Sequence, residues 1–424
     1  MAGILTDTLK RLLLDKLVAD VQDAAQYYYI GIGNSIDWDS SDTAPTPLNT
    51  QREERNLRLQ LQSIKSGEDV SLVIPRNNWT AGAIYSGWDD NTATHPTTPY
   101  FVITDDNAVY MCIKQGRDAT GSAVASTTKP AGASVKSFLA ADGYTWKFLY
   151  TLTAGDANKF LSANYIPVKL IGTTDSASPA ADVEQKGIQN AAVAGQIGSI
   201  RIVNGGTGYT SAPTVTVVGD GDSCTATAVI SGGAVVDIKL DSDGSGDVKH
   251  GSGYSKATIA FNSGAATARV ALAPKGGFGF DPRQDTRAKA VMFNTKPNGA
   301  EGGKFITDND FRQIALIKNP LIPSTDSDFT QSAGWGLSTL SLASVATAFS
   351  ADKTILGGSS GAKAYVDTYA SNTIYYHQTE TTGFVPFTTG EALTETDGAG
   401  AGTLDSSSTW LTGDVDIVGT GDVL

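Results

Sequence analysis

The strongest constraint on the fold is a pattern that occurs twice within residues 187–273. Each copy contains an alternating apolar and polar run, a Gly-x-Gly-Tyr turn, a second run and an alanine-rich alternating run. The two turns read GTGY (206–209) and GSGY (251–254). Alternation is what a half-buried β-strand requires, and glycine permits the positive φ of a tight turn. The pattern predicts two strand-rich units, each with a tyrosine over its hairpin end, packed together as an inserted double β-repeat module.

Short apolar runs separated by turn residues also dominate residues 25–186. Runs of this length, bounded by glycine, proline, asparagine and aspartate, predict β-strands. They lie at residues 27–32, 70–74, 100–103, 109–113 and 146–152. The stretch 118–134 is rich in alanine, glycine, serine and threonine, and it predicts an exposed loop.

A second, fainter repeat lies in residues 345–405. Phe349 and Ile355 are spaced like Phe387 and Leu393, and a Gly-Ala pair follows in both halves. The region 331–424 therefore predicts a C-terminal β-repeat module. It contains ten acidic residues and two lysines, and so contributes −8 to the net charge of −13. These acids predict either a solvated surface, which we favour, or a dock for a basic partner.

The N-terminal segment 1–24 contains, at residues 4–21, the spacing of an amphipathic helix. Thr6 or Asp7 can cap its first turn. Its apolar residues recur at three- and four-residue steps: Leu5, Leu9, Leu12, Leu13, Leu17 and Val21. This face predicts a docking helix, either for the chain's own core, which we favour, or for a partner.

Length, charge and cysteine content exclude several classes of protein. The 424 residues allow two to four domains with substantial cores. A net charge of −13 repels phosphate backbones, so we expect no nucleic-acid partner. Two cysteines cannot form a disulfide framework. Charges interrupt the leucines of the first 21 residues and no apolar stretch is long enough to span a membrane, so we expect a soluble protein made in the cytoplasm, without membrane insertion.

Residue types that serve catalysis are scattered along the chain. His95, His250 and His377 are far apart in turn-like contexts, and none has a Cys or His at metal-ligand spacing, so we expect no zinc site. Cys112 is expected to be a buried core thiol. Residues 357–361 (GGSSG) match the G-x-S-x-G nucleophile elbow. The residues that follow, 362–369, predict a strand where the elbow requires a helix, so we expect the match to be accidental.

Clusters of acidic residues allow two further hypotheses. Asp241–Asp247 (DSDGSGD) has the oxygen density of a calcium loop, although Ser252 lies where an EF-hand requires glutamate. An exposed hairpin tip is favoured there, and calcium stays an open alternative. The pairs at 89–90 and 105–106 have the residue type of glycoside hydrolases, but adjacent acids are expected to point apart and cap turns. We therefore predict no enzyme: no catalytic, cofactor-binding or metal-binding residue, no cofactor and no small-molecule substrate.

Six strings of residues occur in an order that identifies a family resemblance. They are YIGIG (29–33) leading to Trp38, IPRNNW (74–79), YFVITDDNAVYMCI (100–113), GYTWKFLY (143–150), GFGFDP (277–282) and FRQIALIKNPL (311–321). Together they resemble the baseplate wedge protein of T-even-like contractile-tail bacteriophages, the gene-product-eight family. The resemblance covers residues 10–170 and 274–322.

The resemblance implies a structural virion protein without catalysis, folded as a layered β-sandwich with helix-bearing loops. We therefore predict a mainly β fold, with a sandwich core from residues 25–186 and 274–330, an N-terminal helix and inserted small β-repeat modules. The resemblance also implies a homodimer that contacts other baseplate wedge subunits. Its expected location is the tail baseplate of the virion, after synthesis and assembly in the host cytoplasm. Residues 409–424 lack a convincing version of the family's closing strand, so the family's C-terminal contacts are not carried over.

Individual residues within these strings have expected packing roles. Trp38, Trp79 and Trp146 are predicted to pack in the core or at a domain edge, since each buries a large area. Arg76 is predicted to form a buried or interface ion pair, because its guanidinium group matches a carboxylate.

The alternative function is a host-recognition or glycan-binding tail protein. Such a protein requires exposed aromatic side chains near carboxylates, and residues 375–377 (YYH) are the best local candidate. An enzyme that cleaves polysaccharide is the least favoured function. A trimer would support either of these alternatives, and a dimer would support the wedge subunit.

Overall fold

The computed structural model shows a chain dominated by antiparallel β-sheets. It describes residues 5–38, 41–46, 48–67, 69–243, 247–299, 301–306, 310–406, 413–416, 419 and 421–424. Strands account for 36% of the structure and helices for 12%, which confirms the mainly β fold. The chain forms two compact units: residues up to Lys16 with Ser71–Met292, and Leu17–Val70 with Phe293–Leu424. The repeat module predicted at 187–273 lies in the first unit, the module predicted at 331–424 lies in the second, and the predicted core segments contribute to both.

The helices of the described chain are short, and capping side chains fix where several of them begin. They are α1 (Asp7–Val21), α2 (Gln51–Leu59), α3 (Ala154–Phe160), α4 (Ala180–Asn190) and α5 (Pro282–Asp285), with a 3-10 turn at Glu301–Gly303. The Thr50 hydroxyl accepts the backbone N–H of Glu53, and the Thr153 hydroxyl accepts that of Asp156. Each cap satisfies a donor that the first helical turn leaves unpaired.

No helix among the described residues combines the length and the apolar character needed to cross a membrane.

The first eight strands include all five of the runs predicted between residues 27 and 152. They are β1 (Tyr28–Gly33), β2 (Leu61–Ser66), β3 (Asp69–Pro75), β4 (Phe101–Ile103), β5 (Ala108–Lys114), β6 (Phe138–Leu139), β7 (Thr145–Thr151) and β8 (Tyr165–Val168). In the first unit, β4, β5, β7 and β6 form one antiparallel sheet in that order. A core of aromatic and aliphatic side chains covers it, and Trp146 lies at the centre with no exposed surface.

The next eight strands confirm the double repeat. They are β9 (Ile197–Asn204), β10 (Val215–Gly219), β11 (Asp222–Cys224), β12 (Ala226–Ser231), β13 (Ala234–Leu240), β14 (His250–Ser252), β15 (Ala257–Phe261) and β16 (Thr267–Leu272). The first strand of each copy pairs with the last strand of the other, as β9 with β16 and β13 with β12, and β10 pairs with β15.

The two Gly-x-Gly-Tyr turns of this repeat module have matching conformations. Gly208 has φ +79° and Gly253 has φ +75°, values that favour glycine. The tyrosines that follow, Tyr209 and Tyr254, are both buried in the core of the module. The Tyr209 hydroxyl also donates to the carbonyl oxygen of Ser263 at 3.1 Å. The turns join β9 to β10 and β14 to β15, strands that do not pair with each other, so the prediction of hairpin turns is wrong. What the two copies share is the glycine conformation and the buried tyrosine.

The last ten strands build most of the second unit. They are β17 (Ala290–Asn294), β18 (Gln313–Lys318), β19 (Ala333–Trp335), β20 (Ser338–Thr347), β21 (Thr354–Gly357), β22 (Lys363–Ala370), β23 (Thr373–His377), β24 (Ala392–Glu395), β25 (Ala401–Leu404) and β26 (Asp422–Val423). One sheet has the order β19-β2-β1-β18-β26, and a closed barrel has the order β20-β23-β22-β21-β24-β25. The residues of the fainter repeat, Phe349, Ile355, Phe387 and Leu393, are all buried in the barrel core. The spacing predicted these core positions but not the closure of the barrel.

Candidate functional site

Helix α1 and the residue stretch before it expose several leucines to solvent. The leucine face consists of four residues that are 44–55% exposed: Leu5, which precedes the helix, and Leu9, Leu12 and Leu13 within it. The helix contacts its own chain with charged side chains instead. Asp15 accepts from Arg283 at 2.7 Å, and Asp7 lies 3.2 Å from the Lys289 ammonium group. The favoured prediction, that these leucines pack on the chain's own core, is wrong, whereas Val21 at the end of the helix is buried.

The leucine face has the geometry of a helix-packing surface. Leu9, Leu12 and Leu13 recur at steps of three and one, so they form one stripe over about one turn of the helix, and Leu5 precedes that stripe. Lys10 and Lys16 of the same helix are also exposed. Large apolar side chains grouped on one exposed surface mark a site of protein association more often than isolated ones do. The face is therefore the leading candidate for contact with another chain.

The three histidines make separate structural contacts. His95 donates from Nε2 to the carbonyl oxygen of Thr286 at 2.8 Å, and burial lowers its pKa. His250 lies in β14, where Nδ1 donates to the Ile197 carbonyl oxygen at 2.7 Å and Nε2 contacts the Ser137 hydroxyl. Burial also lowers the pKa of His250, which favours the neutral ring. The prediction of turn-like contexts is wrong for His250 and for His377, because both lie in strands.

His377 belongs to a buried polar cluster in the second unit. Its Nδ1 lies 2.6 Å from Oδ2 of Asp367, which has no exposed surface. The other carboxylate oxygen accepts from the Gln62 amide at 3.0 Å and from the Ser35 hydroxyl at 3.3 Å. The serine thus donates to the aspartate and not to the histidine, which is not the arrangement that activates a nucleophile. The cluster links β2 to β22 and β23.

The residues proposed to bind glycans, 375–377, do not form an exposed aromatic platform. Tyr376 is 9% exposed and lies in the barrel core, and His377 is buried beside Asp367. Tyr375 packs its ring against Trp335, with a centroid separation of 4.9 Å. These contacts use the aromatic surfaces for packing within the second unit.

The segment matching the nucleophile elbow is a hairpin turn between β21 and β22. Five donors of this hairpin and its surroundings converge on the Glu391 carboxylate: the N–H and hydroxyl of Ser359, the N–H and hydroxyl of Ser360, and the N–H of Thr388. Burial works against the charged form of Glu391, but these hydrogen bonds outweigh it and lower its pKa to about 2. The interpretation of the match as accidental is consistent with the strand that follows, Lys363–Ala370.

The adjacent acid pairs converge on cations. Asp89 and Asp90 both bind Arg269, at 2.6 Å and 3.1 Å. Asp105 and Asp106 both bind Lys129, at 2.6 Å and 3.2 Å. The prediction that such neighbours point apart is wrong for both pairs. A basic residue distant in sequence draws the two carboxylates together, and sequence spacing did not reveal it.

The acidic loop considered for calcium lies partly outside the described residues, at 244–246. Of the rest, Asp241 accepts from the Thr227 hydroxyl at 2.8 Å, and Asp247 pairs with Lys136. Within the part of the chain that the structure describes, no group of three or more His, Cys, Asp and Glu side chains has the placement to hold a metal ion.

Other residues singled out from the sequence have structural partners. Cys112 has no exposed surface, as predicted, and burial raises the pKa of its thiol. Trp146 is fully buried, while Trp79 is partly buried beside the same core. Arg76 donates to the Asn78 amide oxygen at 2.9 Å and to the Ser162 carbonyl oxygen at 2.8 Å. Both acceptors are neutral, so Arg76 forms no buried ion pair with the described residues, and an interface ion pair stays a prediction.

A buried lysine was missed because nothing in its sequence context distinguishes it. Lys147 occupies β7, is 3% exposed, and donates to the carbonyl oxygen of Val135. Burial lowers the pKa of Lys147 to about 8, although the nearby Asp285 opposes the change. Asp285 is fully buried as well, and burial raises its pKa well above the usual value.

We expect Lys147 to make stability depend on pH in the alkaline range. Above pH 8 the folded lysine loses its proton, whereas the unfolded one keeps it to about pH 10.5. The unfolded state then binds more protons, so stability rises with pH in this interval. The free energy of unfolding of the wild type, minus that of Lys147→Met, should increase by about 1 kcal/mol per pH unit between pH 8 and 9.5. Urea denaturation of both proteins measures it, and a constant difference would contradict the assignment.

Comparison with protein-family models and with curated proteins finds no match to this chain. The functional conclusion therefore rests on the residues and their geometry. The polar clusters around Asp367 and Glu391 hold strands and turns together. The leucine face at α1 is an exposed apolar surface of the described chain.

Proposed function

We propose that the chain is a structural subunit of the baseplate wedge of a contractile bacteriophage tail. It forms a homodimer, contacts other wedge subunits, and resides in the virion after assembly in the host cytoplasm. The observation that carries the proposal is the exposed leucine face on a mainly β scaffold. The assignment to a baseplate wedge is favoured by six strings of residues that occur in order. They lie at residues 29–33, 74–79, 100–113, 143–150, 277–282 and 311–321.

A second copy of the chain suits the leucine face. Two identical stripes related by a two-fold axis can interdigitate, since helices pack by placing the ridges of one into the grooves of the other. Burying the exposed half of each leucine contributes roughly 1 kcal/mol per side chain. Eight such leucines, four from each copy, thus contribute roughly 8 kcal/mol, and association costs about 4–15 kcal/mol in lost freedom of motion, so a stable dimer needs further contacts. The leucine face is therefore one part of an interface that buries well over about 1,000 Å².

The mass of the purified protein in solution tests the dimer. We expect light scattering behind a sizing column to give a mass near 88 kDa at two concentrations, twice the 44.1 kDa of one chain. The double variant Leu9→Glu/Leu12→Glu keeps good helix formers in α1 but places charges in the stripe. It should shift the mass towards 44.1 kDa.

Leu48→Glu is the matched control, because Leu48 is 63% exposed but lies outside the helix. It should leave the mass near that of the wild type. A monomeric wild type, or a mass near 132 kDa from three chains of 44.1 kDa, would contradict the dimer. Co-expression with baseplate wedge proteins tests the assembly, and failure to form any complex with them would contradict the wedge assignment.

A further inference from the structure

A cavity of about 430 Å³ lies in the first unit, beside strands β5, β9 and β13. A second cavity of about 230 Å³ adjoins it, since Lys114, Arg117 and Asp237 line both, and we treat the two together as one cleft. We call it the cationic cleft after the basic residues that line it: Lys114, Arg117, Arg201, Lys239 and Arg269. Its location and its residues are separate from the leucine face.

Strand geometry concentrates the positive charge in this cleft. Arg201 on β9 is directly opposite Arg269 on β16. Asp237 and Lys239 share one face of β13, because they are two residues apart. Five cations face two lining carboxylates, Asp89 and Asp237, in a chain whose net charge is −13. Like charges on neighbouring strands are unfavourable unless anions neutralise them, so the excess calls for an anionic partner.

Two of the cations are neutralised by the chain itself. Lys114 binds both carboxylate oxygens of Asp237, at 3.0 Å and 2.9 Å. Arg269 binds Asp89 and Asp90. Arg201 donates to the carbonyl oxygens of Gly87 and Trp88, both at 2.7 Å, and its Nε lies 3.4 Å from Asp89. Since Asp89 is already bound to Arg269, Arg201 is only partly neutralised.

Arg117 and Lys239 supply the unneutralised charge. Both are exposed, and no carboxylate among the described residues lies within ion-pair distance of either. Arg117 donates to the carbonyl oxygen of Gly121. Burial lowers the pKa of Lys114, Asp237 opposes this change, and the charges of Lys239 and Arg117 have a smaller lowering effect. The positive charge without a carboxylate partner therefore lies on Arg117 and Lys239.

A buried hydroxyl adds a hydrogen-bond donor to the same cavity. Ser199 lies on β9 two residues before Arg201, so the two share a strand face. It is 3% exposed, lines the larger cavity, and its hydroxyl has no hydrogen-bond partner among the described residues. Buried polar groups are normally hydrogen-bonded, so this one indicates a partner from outside the chain.

We propose that the cationic cleft binds an acidic peptide segment of another protein chain. The charge is spread over two connected cavities, which matches carboxylates spaced along a peptide better than one compact anion. Apolar side chains, including Ile200, Val236 and Leu139, line the cleft between the cations and can contact the intervening residues of the peptide. Arg117 and Lys239 bind carboxylates at the exposed margin, and Ser199 donates at the buried end.

Fluorescence anisotropy of a labelled ten-residue peptide of alternating Glu and Gly tests the proposal. We expect saturable binding that weakens with salt, because charge pairs at an exposed margin are screened. A Gln-Gly peptide of the same length should not bind. Arg117→Ala/Lys239→Ala should weaken binding at least tenfold. The matched control, Lys256→Ala/Lys275→Ala, removes the same charge from exposed sites of the same unit, and it should bind like the wild type.

Three results would overturn the proposal. Binding of the Gln-Gly peptide would show that charge is not recognised. An equal loss in both double variants would show attraction by overall charge alone. Inorganic phosphate that displaces the peptide far more effectively than chloride at the same ionic strength would identify a site for a small anion instead. Each result is independent of whether the chain is a dimer, so the failure of this inference and that of the wedge assignment are distinguishable.

Discussion

Replacement of Trp146 by alanine is expected to lower the free energy of unfolding of the first unit by about 4 kcal/mol. The side chain has no exposed surface, so the substitution removes a large apolar area and leaves a cavity. Its ring stacks on Tyr144 at a centroid distance of 5.7 Å and meets the edge of Tyr85 at 5.6 Å. Both contacts are lost with the indole.

Chemical denaturation of Trp146→Ala and Trp146→Phe distinguishes the loss of stability caused by the cavity from any loss caused by removal of the indole N–H. The Nε1 of Trp146 is buried without a hydrogen-bond partner among the described residues. Phenylalanine therefore loses no hydrogen bond and fills most of the space, so it should cost less than half as much as alanine. A similar loss for the two variants, or a loss below about 1 kcal/mol for alanine, would contradict this account of the core.

Glu391→Gln should destabilise the barrel by about 3 kcal/mol at neutral pH. The ionised carboxylate accepts five hydrogen bonds, which lower its pKa from 4.5 to about 2. An amide cannot accept at both of its ends, so some buried donors lose their partner. Urea denaturation at pH 7 measures the loss.

The difference in free energy of unfolding between the wild type and Glu391→Gln depends on pH, and this dependence identifies Glu391 as the ionised group. Because the pKa is lower in the folded state, the stabilisation is present above pH 4.5 and disappears as the pH falls towards 2. The difference between wild type and Glu391→Gln should therefore shrink over this range. Glu395→Gln is the graded control, because Glu395 is equally buried but accepts only two backbone N–H groups among the described residues. It should cost less, and a larger cost would overturn the assignment.

Local patterns predicted the elements that depend on near neighbours in sequence. Short apolar runs bounded by turn residues located β1, β3, β4, β5 and β7 to within two residues at each end. The two Gly-x-Gly-Tyr strings predicted the double repeat. In the structure, the positive φ of Gly208 recurs at Gly253, and the burial of Tyr209 recurs at Tyr254. Strand pairing and turn conformation are set largely by side-chain alternation and by glycine, and both can be read from the sequence.

Partners distant in sequence escaped prediction. The approach of Arg269 to Asp89 and Asp90 joins residues some 180 positions apart. The acids of the C-terminal module were predicted to be solvated, yet Asp367, Glu391 and Glu395 are buried and accept hydrogen bonds. The apolar spacing of α1 predicted a helix but could not show which face meets the protein. Tertiary contacts decide these features, and one sequence does not specify them.

The exchange of strands between the two repeats has a consequence for how this module came about. One copy alone leaves its first and last strands without partners, since β9 pairs with β16 and β12 with β13. A shorter ancestral chain with a single copy would complete these ladders only by pairing with an identical chain about a two-fold axis. The turn at Gly232 and Gly233, both with positive φ, connects the two copies within one chain. Two copies joined in one chain complete each other's ladders whatever the protein concentration.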